Sequence, residues 1–293
     1  MNSNFSNAER AEVLAQALPH IKKYTGKTVV IKYGGNAMVD EELKQQVMGD
    51  IALLSLIGVK VVLVHGGGPE INDLLGKLGK KSEFIDGLRV TDQETIDVVQ
   101  MVLAGKVNKT LVNLLEMKGA KAIGISGMDG RLIEAKIKDE RLGLVGEVTN
   151  VNIKPITDLL EKGYIPVVST LGCDAEGNIY NINGDTAAAH IAGALYAKRL
   201  IMMTNVDGLY ADKNDPSTRI EEIQIQDAET LYKEGVIDGG MIPKVDCCVL
   251  AIKQGVEKVV IMDGTTPHSI LMELLTREGC GTMVKRGDKK NEH

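Results

Sequence analysis

The feature of this sequence that most restricts its fold is a set of short apolar segments that recur along the chain. They are rich in β-branched residues and bounded by glycine or proline, and they lie at 28–33, 60–65, 120–126, 164–169, 199–204 and 258–263. Strands that are apolar on both faces are typical of a parallel sheet covered by helices on each side. Segments with helical periodicity, such as 42–57, lie between them. This alternation predicts an α/β fold, an open three-layer αβα sandwich with a largely parallel central sheet.

Two hairpins break this alternation, and three further segments stand out. Residues 130–151 and 173–180 each predict a hairpin, which is either a lid over a ligand site or a plain surface hairpin. Residues 93–118 predict one long amphipathic helix whose apolar stripe serves the core, a dimer interface or both. The first 24 residues predict a separate amphipathic helix, and the charged tail after Val284 is expected to fray.

Composition argues against several classes of partner. The formal net charge is −6, so bulk charge does not favour binding to nucleic acid or to a membrane surface, and we expect neither partner. No apolar run reaches the roughly 18 residues that a spanning helix needs. The four cysteines show neither disulfide-framework nor zinc-site spacing, and no signal peptide is visible. We therefore expect reduced thiols and a cytoplasmic location.

Glycine-rich turns follow several of the predicted strands. Gly34-Gly35 follows the first strand, Gly66-Gly67-Gly68 the second, and Gly124 and Gly127 lie at the end of the third. Ligands of open α/β sheets bind at the carboxyl ends of strands, where glycine lets backbone N–H groups approach an anion. These clusters indicate a polyanionic ligand, and tight turns without a ligand are the alternative.

Two common nucleotide-binding motifs do not fit. A Walker A loop would need glycine at position 21, five residues before Gly26-Lys27-Thr28, but that residue is Ile21. A dinucleotide fingerprint fails after Gly66 because Ile71 stands in its last place. Protein-kinase motifs are also missing from the sequence.

Six motifs together resemble the amino-acid kinase family. They follow in the family's order at 31–38, 64–69, 87–91, 181–185, 204–210 and 240–244. The resemblance covers about residues 26–285 and is strongest to members that phosphorylate N-acetyl-L-glutamate. It implies a phosphotransferase with a carboxyl group as acceptor, which uses ATP and Mg²⁺ in the second step of arginine biosynthesis.

The resemblance also implies a domain organisation. Residues 1–25 would be an N-terminal oligomerisation helix, and residues 26–293 the amino-acid kinase domain. Within that domain, residues 26 to about 195 would bind acetylglutamate and residues from about 196 to 293 the nucleotide.

The implied catalytic residues are two lysines and one aspartate. Lys32 and Lys244 would stabilise the transferring phosphoryl group, and Asp185 would hold both in position. Solvated lysines, and Asp185 as the N-cap of a helix at 186–197, are the alternatives. A carboxylate acceptor is already ionised at neutral pH, so no general base is needed. His65 is expected to be structural.

The implied ligand-binding residues divide into two groups. For N-acetyl-L-glutamate they are the N–H groups of the glycine triplet, the planar fork of Arg89 and two side-chain amides: Gly66, Gly67, Gly68, Arg89, Asn181 and Asn183. A surface salt bridge for Arg89 and turn formation by the asparagines are the alternatives. For ATP they are Gly34, Gly35, Thr204, Asp207 and Tyr210. Phosphates and water would hold Mg²⁺, and no protein metal ligand is named.

The resemblance further implies regulation. Arginine-inhibited members of this family carry an N-terminal helix that pairs dimers into a hexamer, a trimer of dimers. We therefore expect such a hexamer, inhibited by L-arginine bound between the N-terminal helix and the last helix. The residues implied are His20, Lys198, His268, Ser269, Glu273 and Gly279. A helix docked on its own subunit is the alternative.

Other functions stay open at this point. The nearest is another amino-acid kinase, acting on aspartate, glutamate or carbamate. A non-catalytic amino-acid sensor on the same fold is a second possibility, and a dehydrogenase is a distant third.

Overall fold

The computed structural model describes residues 6–212 and 214–287. The strands in this part of the chain are β1 (Thr28–Tyr33), β2 (Lys60–His65), β3 (Phe84–Ile85), β4 (Leu88–Arg89), β5 (Ala122–Ser126), β6 (Ile133–Ile137), β7 (Gly146–Val151), β8 (Ile165–Ser169), β9 (Leu171–Cys173), β10 (Ile179–Asn181), β11 (Arg199–Thr204), β12 (Leu209–Tyr210), β13 (Arg219–Ile220), β14 (Glu222–Gln224), β15 (Lys258–Asp263) and β16 (Thr282–Lys285). The α-helices are α1 (Asn7–Tyr24), α2 (Glu41–Leu56), α3 (Gly68–Lys77), α4 (Gln93–Gln100), α5 (Asn108–Met117), α6 (Lys154–Glu161), α7 (Gly184–Ala194), α8 (Ala228–Lys233), α9 (Ile242–Lys253) and α10 (Ser269–Leu275).

One eight-stranded sheet runs through the molecule. Its strand order is β14-β16-β15-β11-β1-β2-β8-β5, and the pair β15 and β16 is antiparallel while the other pairs are parallel. Because β1 is parallel to both its neighbours, with Lys32 opposite Val64 and Met202, the carboxyl ends of the central strands share one edge of the sheet. That edge carries the glycine turns after β1 and β2.

Apolar residues cover both faces of this sheet, as the uninterrupted strands predict. In β1, Val29 and Ile31 join a core cluster with α2, α4 and α5, whereas Val30 joins a second cluster with α6, α7 and α9. Successive strand residues point to opposite faces, so one apolar strand supplies both cores. The three-layer α/β sandwich is therefore confirmed.

The sequence located the main strands closely. Four of the six predicted segments match the observed strands residue for residue, and the third and fourth begin one or two residues later than predicted, at Ala122 and Ile165. Both hairpins are also present, since β6 pairs antiparallel with β7 and β9 with β10. These four strands form a separate sheet in the order β10-β9-β6-β7.

The long helix of residues 93–118 is not a regular α-helix. Its predicted stripe is buried, but a π-helical segment, Met101–Val107, separates α4 from α5. A π-turn adds a residue to a turn and shifts the side chains that follow. Hydrophobic spacing does not reveal this insertion, because the apolar residues of the predicted stripe are buried both before and after it.

The N-terminal helix is locally encoded and only partly packed. Ser6 and Glu9 form a capping box that starts α1, and Tyr24 is fully buried at its end. Val13, Leu14 and Leu18 are more than half exposed. The first five residues of the predicted helix, and residues 288–293 of the predicted tail, lie outside the described residues.

The sheet is continuous across the two predicted lobes. Strands β1, β2, β5 and β8 come from residues before 195, and β11, β14, β15 and β16 from residues after it. The division into two binding lobes stays a prediction. In the described part of the chain, no helix combines the length and apolarity needed to cross a membrane.

Candidate active site and a second pocket

Three charged side chains meet at the carboxyl edge of the sheet. The Nζ of Lys32, at the end of β1, lies 2.9 Å from Oδ1 of Asp185. The Nζ of Lys244, in the first turn of α9, donates a hydrogen bond to Oδ2 of the same carboxylate at 2.9 Å. The ion pair of Lys32 is as short as that of Lys244. The structure therefore brings together the three residues predicted to be catalytic.

Asp185 does not cap a helix, which corrects one of the two sequence interpretations. Helix α7 begins at Gly184, and its N-cap is Asn183, whose Oδ1 accepts the N–H groups of Asp185 and Thr186 at 3.0 and 3.1 Å. Asn183 thus satisfies the first N–H groups of α7, as N-cap asparagines do. The Asp185 side chain is left to bind the lysines.

Asp185 is ionised in this setting. Burial of its carboxyl group works to raise the pKa, but the charges of Lys32 and Lys244 outweigh burial and lower the pKa to about 2. The carboxylate therefore stays charged at any pH where the enzyme would work. Two ammonium groups held by one carboxylate leave a net positive charge beside the glycine turns.

Glycine is required at two points around these side chains. A Cβ at Gly34 would lie 2.9 Å from Nζ of Lys32, so this glycine makes room for the lysine. Gly67 is the N-cap of α3, which has no side-chain cap, and a Cβ there would lie 2.7 Å from Cδ2 of Leu103. The glycine triplet therefore packs tightly on the π-helical segment and presents the start of α3 to solvent.

A cleft of about 200 Å³ opens beside this cluster, lined by Gly66, Gly67, Gly68, Ile71, Phe84, Gly87, Leu88, Arg89, Leu103, Val145, Thr170, Asn181, Ile182, Asn183 and Gly184. All six residues predicted to bind the acceptor substrate are among them. Val145, next to β7, also belongs to the lining, which brings the first predicted hairpin to the cleft.

Arg89 is a buried cation held by neutral groups. Its Nη1 donates to Oδ1 of Asn72 and Oγ of Ser82, and its guanidinium lies 4.8 Å from the ring centre of Phe84. Among the described residues no carboxylate lies within ion-pair distance of it. Burial lowers the pKa of Arg89, which nonetheless stays charged. A surface salt bridge, the alternative interpretation, is absent from the described residues.

The residues predicted to bind ATP end or follow β1 and β11 at the same edge of the sheet. Thr204 ends β11, and its Oγ1 accepts the N–H of Val206 at 3.0 Å. The hydroxyl of Tyr210 donates to Oδ1 of Asp207, and that hydrogen bond raises the pKa of Tyr210. Gly35, directly after Gly34, has a left-handed φ of 72°. These residues form a loop surface next to Lys32.

Two of the predicted anion-binding glycines have a packing role instead. Gly124 lies inside β5, and a Cβ there would lie 1.8 Å from Oδ1 of Asn108. A Cβ at Gly127 would lie 1.9 Å from the carbonyl oxygen of Leu171. The strand-end pattern of glycines did not distinguish such contacts from a phosphate cradle.

Acidic side chains do not gather into a metal site in the described part of the chain. No group of three or more His, Cys, Asp or Glu side chains there is placed to ligate a metal ion. Both carboxylate oxygens of Asp185 are occupied by lysines. The donor set fits phosphate groups, which bring their own Mg²⁺ ligands.

A second pocket of about 380 Å³ lies between α1 and α10, and its charged and polar lining includes His20, Lys23, Tyr24, Arg199, Arg219, Glu221, Glu222, Lys258, Glu273, Arg277 and Glu278. Gly279 also lines it. Three of the six residues predicted to be regulatory, His20, Glu273 and Gly279, are thus brought together.

The other three predicted regulatory residues are not part of this lining. Lys198 pairs with Glu257, and His268 Nδ1 lies 2.7 Å from Oδ1 of the buried Asp50. Ser269 is buried, and its carbonyl accepts from the thiol of Cys280. Each of these residues has a local structural contact.

Glu273 is a buried acid that no cation of the described residues contacts directly. Its Oε2 accepts the N–H of Cys280 at 3.2 Å, and a Cβ at Gly279 would lie 2.9 Å from that oxygen. No ion pair within 4.0 Å reaches it from the described residues. Burial, the largest cause, raises the pKa of Glu273, although the charge of Arg199 works to lower it.

Arg199 faces the same pocket from the start of β11, and sequence reasoning missed it. Its guanidinium donates to the hydroxyl of Tyr24 at 2.7 Å. Asn72 and Ser82, which hold Arg89, were also missed. The one sequence feature that could have indicated a functional Arg199 is its position as a charged residue at the start of an otherwise apolar strand, in Lys198-Arg199-Leu200.

Sequence comparisons agree with this geometry. The family model described as the Amino acid kinase family matches residues 27–263. Acetylglutamate kinase from Brachyspira hyodysenteriae is 55% identical over 285 residues, which are 97% of this chain and 99% of the relative. Acetylglutamate kinase from Clostridium beijerinckii is 54% identical over 282 residues, 95% of this chain and 99% of the relative.

A solved structure supports the same fold. N-acetylglutamate synthase from Neisseria gonorrhoeae, complexed with coenzyme A and N-acetyl-glutamate, matches with a TM-score of 0.83 and 25% identity. The match covers 95% of this chain and 64% of the synthase chain, so this chain spans less than two thirds of that longer protein.

Proposed function

The chain belongs to the amino acid kinase family, and on that premise we propose that it transfers the γ-phosphoryl group of ATP to the side-chain carboxylate of N-acetyl-L-glutamate. The product would be N-acetyl-L-glutamyl 5-phosphate, formed in the second step of arginine biosynthesis. The observation that carries the proposal is the pair of lysines held by Asp185 beside a cleft that contains Arg89. The two relatives named acetylglutamate kinase support the choice of substrate.

Charge neutralisation is the main task of the catalytic residues. The acceptor carboxylate and the γ-phosphoryl group are both anionic, so they must be aligned and their repulsion overcome. Lys32 and Lys244 supply two positive charges, and Asp185 fixes where those charges lie. Preorganised charges of this kind stabilise the transition state without reorganisation.

The cleft favours an acylated amino acid over a free one. Among the lining residues that the structure describes, Arg89 is charged and no carboxylate is present. A free α-ammonium group would find no acidic partner among these lining residues, and it would be repelled by Arg89. An acetamido group is neutral and can bind the amides of Asn181 and Asn183. This favours N-acetyl-L-glutamate over glutamate or aspartate.

ATP would lie at the ends of β1 and β11, against Gly34, Gly35, Thr204, Asp207 and Tyr210. When bound with ATP, Mg²⁺ would neutralise the charge on the phosphates, held mainly by their oxygens and by water. The chain's own part is to place Lys32 against the transferring group and to cover the phosphates with backbone N–H groups of the glycine turns.

The direct experiment is an assay of ADP release from Mg·ATP. We expect turnover with N-acetyl-L-glutamate and little with glutamate, aspartate or carbamate. Turnover that is fastest with one of the last three would assign another amino-acid kinase. ATP binding without turnover on any acceptor would favour a sensor, and tight NADH binding would favour a dehydrogenase.

The second pocket supports feedback inhibition by L-arginine as part of the same proposal. Glu273 would pair with the ligand's guanidinium, and Arg199, Lys23 and Lys258 lie around the pocket to receive its carboxylate. The exposed apolar residues of α1, Val13, Leu14 and Leu18, are more than half exposed and can pack against a second α1. Pairing of α1 helices in this way would join three dimers into the hexamer. The helical segment of residues 93–118 would form part of the interface between the two subunits of each dimer.

Truncation of α1 tests the oligomer. Tyr24 is fully buried and holds Arg199, so the deletion should stop at residue 18. We expect an active dimer that arginine inhibits weakly or not at all, measured by light scattering and by ADP release. A truncated protein that remains hexameric and inhibited would contradict the pairing of α1.

All four cysteines are free thiols, which fits the cytoplasmic location that we propose.

A further inference from the structure

The Gly66 carbonyl at the edge of the cleft is held by a buried side chain that the proposed chemistry leaves unused. His65, the last residue of β2, has no exposed surface, and its Nδ1 lies 2.8 Å from the carbonyl oxygen of Gly66. A carbonyl can only accept, so Nδ1 must carry the hydrogen and donate it. The other ring nitrogen, Nε2, lies 3.1 Å from Nδ2 of Asn108, which donates to it. These two contacts define one neutral tautomer of the ring.

Asn108 is itself firmly placed at the start of α5. Its Nδ2 also donates to the carbonyl oxygen of Val167 in β8 at 2.9 Å, and its Oδ1 accepts from Lys109 at 3.1 Å. The glycine at position 124 leaves the space that the Asn108 side chain fills. Asn108 is only 1% exposed, and its polar side-chain atoms are satisfied by hydrogen bonds. The side chain is therefore a fixed part of the core.

The same helix contacts the glycine triplet a second time, through apolar atoms. Gly67 packs on Leu103 and Val107 of the π-helical segment, whose side chains would be 2.7 and 3.2 Å from a Cβ at that position. The π-turn ends directly before Asn108. The helical segment therefore holds the glycine triplet both by packing and through His65.

The geometry of the peptide bond gives this contact a consequence. In a trans peptide the C=O of Gly66 and the N–H of Gly67 point in opposite directions. The carbonyl points to the buried ring of His65, so the N–H of Gly67 points away from it, on the side where the triplet lines the cleft. We propose that His65 and Asn108 are positioning residues, which hold the peptide between Gly66 and Gly67 so that its N–H faces a substrate or phosphoryl oxygen.

The ring is suited to this role because it is neutral. Burial, opposed by the contact with Gly66, lowers the pKa of His65 to about 4, so the tautomer persists through neutral pH. The expected effect of His65 and Asn108 on kcat rests on the proposed function, since only that reaction provides a substrate or phosphoryl oxygen for the N–H of Gly67. The orientation of the peptide does not rest on it.

The tautomer is measured first, on the full-length wild-type protein, by ¹⁵N–¹H NMR of the histidine rings. We expect the His65 ring to carry its hydrogen on Nδ1 and to remain neutral from pH 8 to pH 6. A hydrogen on Nε2, or protonation within that range, would overturn the inference. This result is independent of turnover, so it stands even if acetylglutamate-dependent ADP release is not found and the proposed function fails.

Three variants then test the positioning role by kinetics. His65→Leu removes the donor to Gly66, and His65→Asn keeps a donor close to the position of Nδ1. We expect His65→Leu to lower kcat at least about tenfold with the KM for ATP changed less than about twofold. His65→Asn should recover most of the loss. A kcat of His65→Leu within about twofold of wild type, or equal losses in both variants, would overturn the proposal.

The third variant, Asn108→Asp, replaces the donor to Nε2 with an acceptor. The carboxylate accepts a hydrogen from Nε2, so the ring either carries its single hydrogen there and loses the donor to Gly66, or binds a second proton and keeps that donor. NMR distinguishes the two forms, and kcat should fall as in His65→Leu when Nδ1 has lost its hydrogen and stay near wild type when the ring carries both. The matched control is Asn113→Asp, an exposed asparagine of the same helix, which should change neither. An Asn108→Asp variant with the shifted tautomer and wild-type kcat would contradict the role of the peptide.

Discussion

Asp185 and Glu273 are two buried acids with cations nearby, yet their pKa values shift in opposite directions. Lys32 and Lys244 contact Asp185 directly at 2.9 Å, and its pKa is lowered to about 2. Glu273 is equally buried but has no cation within ion-pair distance in the described residues, and burial raises its pKa. Direct contact, rather than the number of nearby charges, decides the outcome.

The opposite pKa shifts distinguish an acid whose cationic partners belong to the protein from an acid whose cationic partner a ligand would supply. Desolvation opposes the charge of a buried carboxylate unless a cation replaces the lost water. At Asp185 the fold supplies two cations, so the acid serves to position lysines. At Glu273 the cation is missing, so a guanidinium entering the second pocket would gain a strong contact. Arg89 lies between these cases, because neutral acceptors satisfy its hydrogen bonds but leave its charge without a carboxylate.

The largest effect is expected when the built-in partners are removed. Lys32→Ala and Lys244→Ala should each lower kcat about a hundredfold or more, because charge developing on the transferring group loses a preorganised cation. The double variant should lose less than the product, since both lysines act with one carboxylate. Lys77→Ala, which breaks an exposed pair with Asp73, is the control and should be neutral. Near-normal turnover in both lysine variants would remove the assigned roles.

Changing the shape of a buried cation should have the next largest effect. Arg89→Lys keeps the charge but loses the planar fork, so the KM for N-acetyl-L-glutamate should rise about tenfold while that for ATP stays the same. Steady-state kinetics with each substrate varied in turn measures this. Arg141→Lys, at an exposed pair with Asp139, is the matched control. An effect on ATP alone would place Arg89 with the wrong substrate.

Neutralising the unpartnered acid should separate regulation from catalysis. Glu273→Gln should raise the arginine concentration for half inhibition about tenfold, because an amide cannot form an ion pair with a guanidinium. The kcat should not change, and the urea midpoint should stay or rise, since a buried group that disfavours its charge is removed. Glu278→Gln, an exposed residue of the same pocket, is the control. Unchanged inhibition in Glu273→Gln would exclude Glu273 from the arginine site.

The smallest effect is the response to pH. Burial raises the pKa of the Glu273 carboxyl group, so acidification protonates it before an exposed glutamate, and arginine inhibition should weaken as the pH falls. Asp185, with a pKa of about 2, stays ionised over the same range and should not contribute to any loss of kcat. Inhibition curves at pH 7.5 and about pH 5.5 measure this, with a His20→Gln background to exclude the histidine of the same pocket. Inhibition that strengthens on acidification would contradict the assignment.

Local patterns predicted six of the eight strands of the central sheet and most of the candidate site. Those six strands are runs of apolar residues, so their bounds were visible in the order of residues along the chain, whereas β14 and β16 were not predicted. Lys32 and the glycine triplet stand at the ends of predicted strands. The motif order added Asp185 and Lys244 from distant parts of the chain. The direct pairing of these residues could not be read from spacing, because it depends on how α7 and α9 approach β1.

Some errors came from patterns that have two physical origins. An aspartate at the start of a helix is a common N-cap, yet the neighbouring Asn183 caps α7 and frees Asp185. Glycines near a strand end suit an anion, yet Gly124 makes space for Asn108. The sequence shows that a small or polar residue is needed, and only the packing shows what occupies the space beside it.

The sequence by itself determined the layered α/β architecture, the edge of the sheet where the candidate site lies and the residues that carry charge there, because periodicity and strand-end glycines are local properties of the chain. The tertiary structure decided which charges are paired. Asp185 and Glu273 are both acidic residues in sequence terms, and their opposite pKa shifts arise from whether a lysine or arginine from a distant part of the chain comes within contact distance. Desolvation and contact distance are properties of the packed molecule, so no reading of the chain alone supplies them.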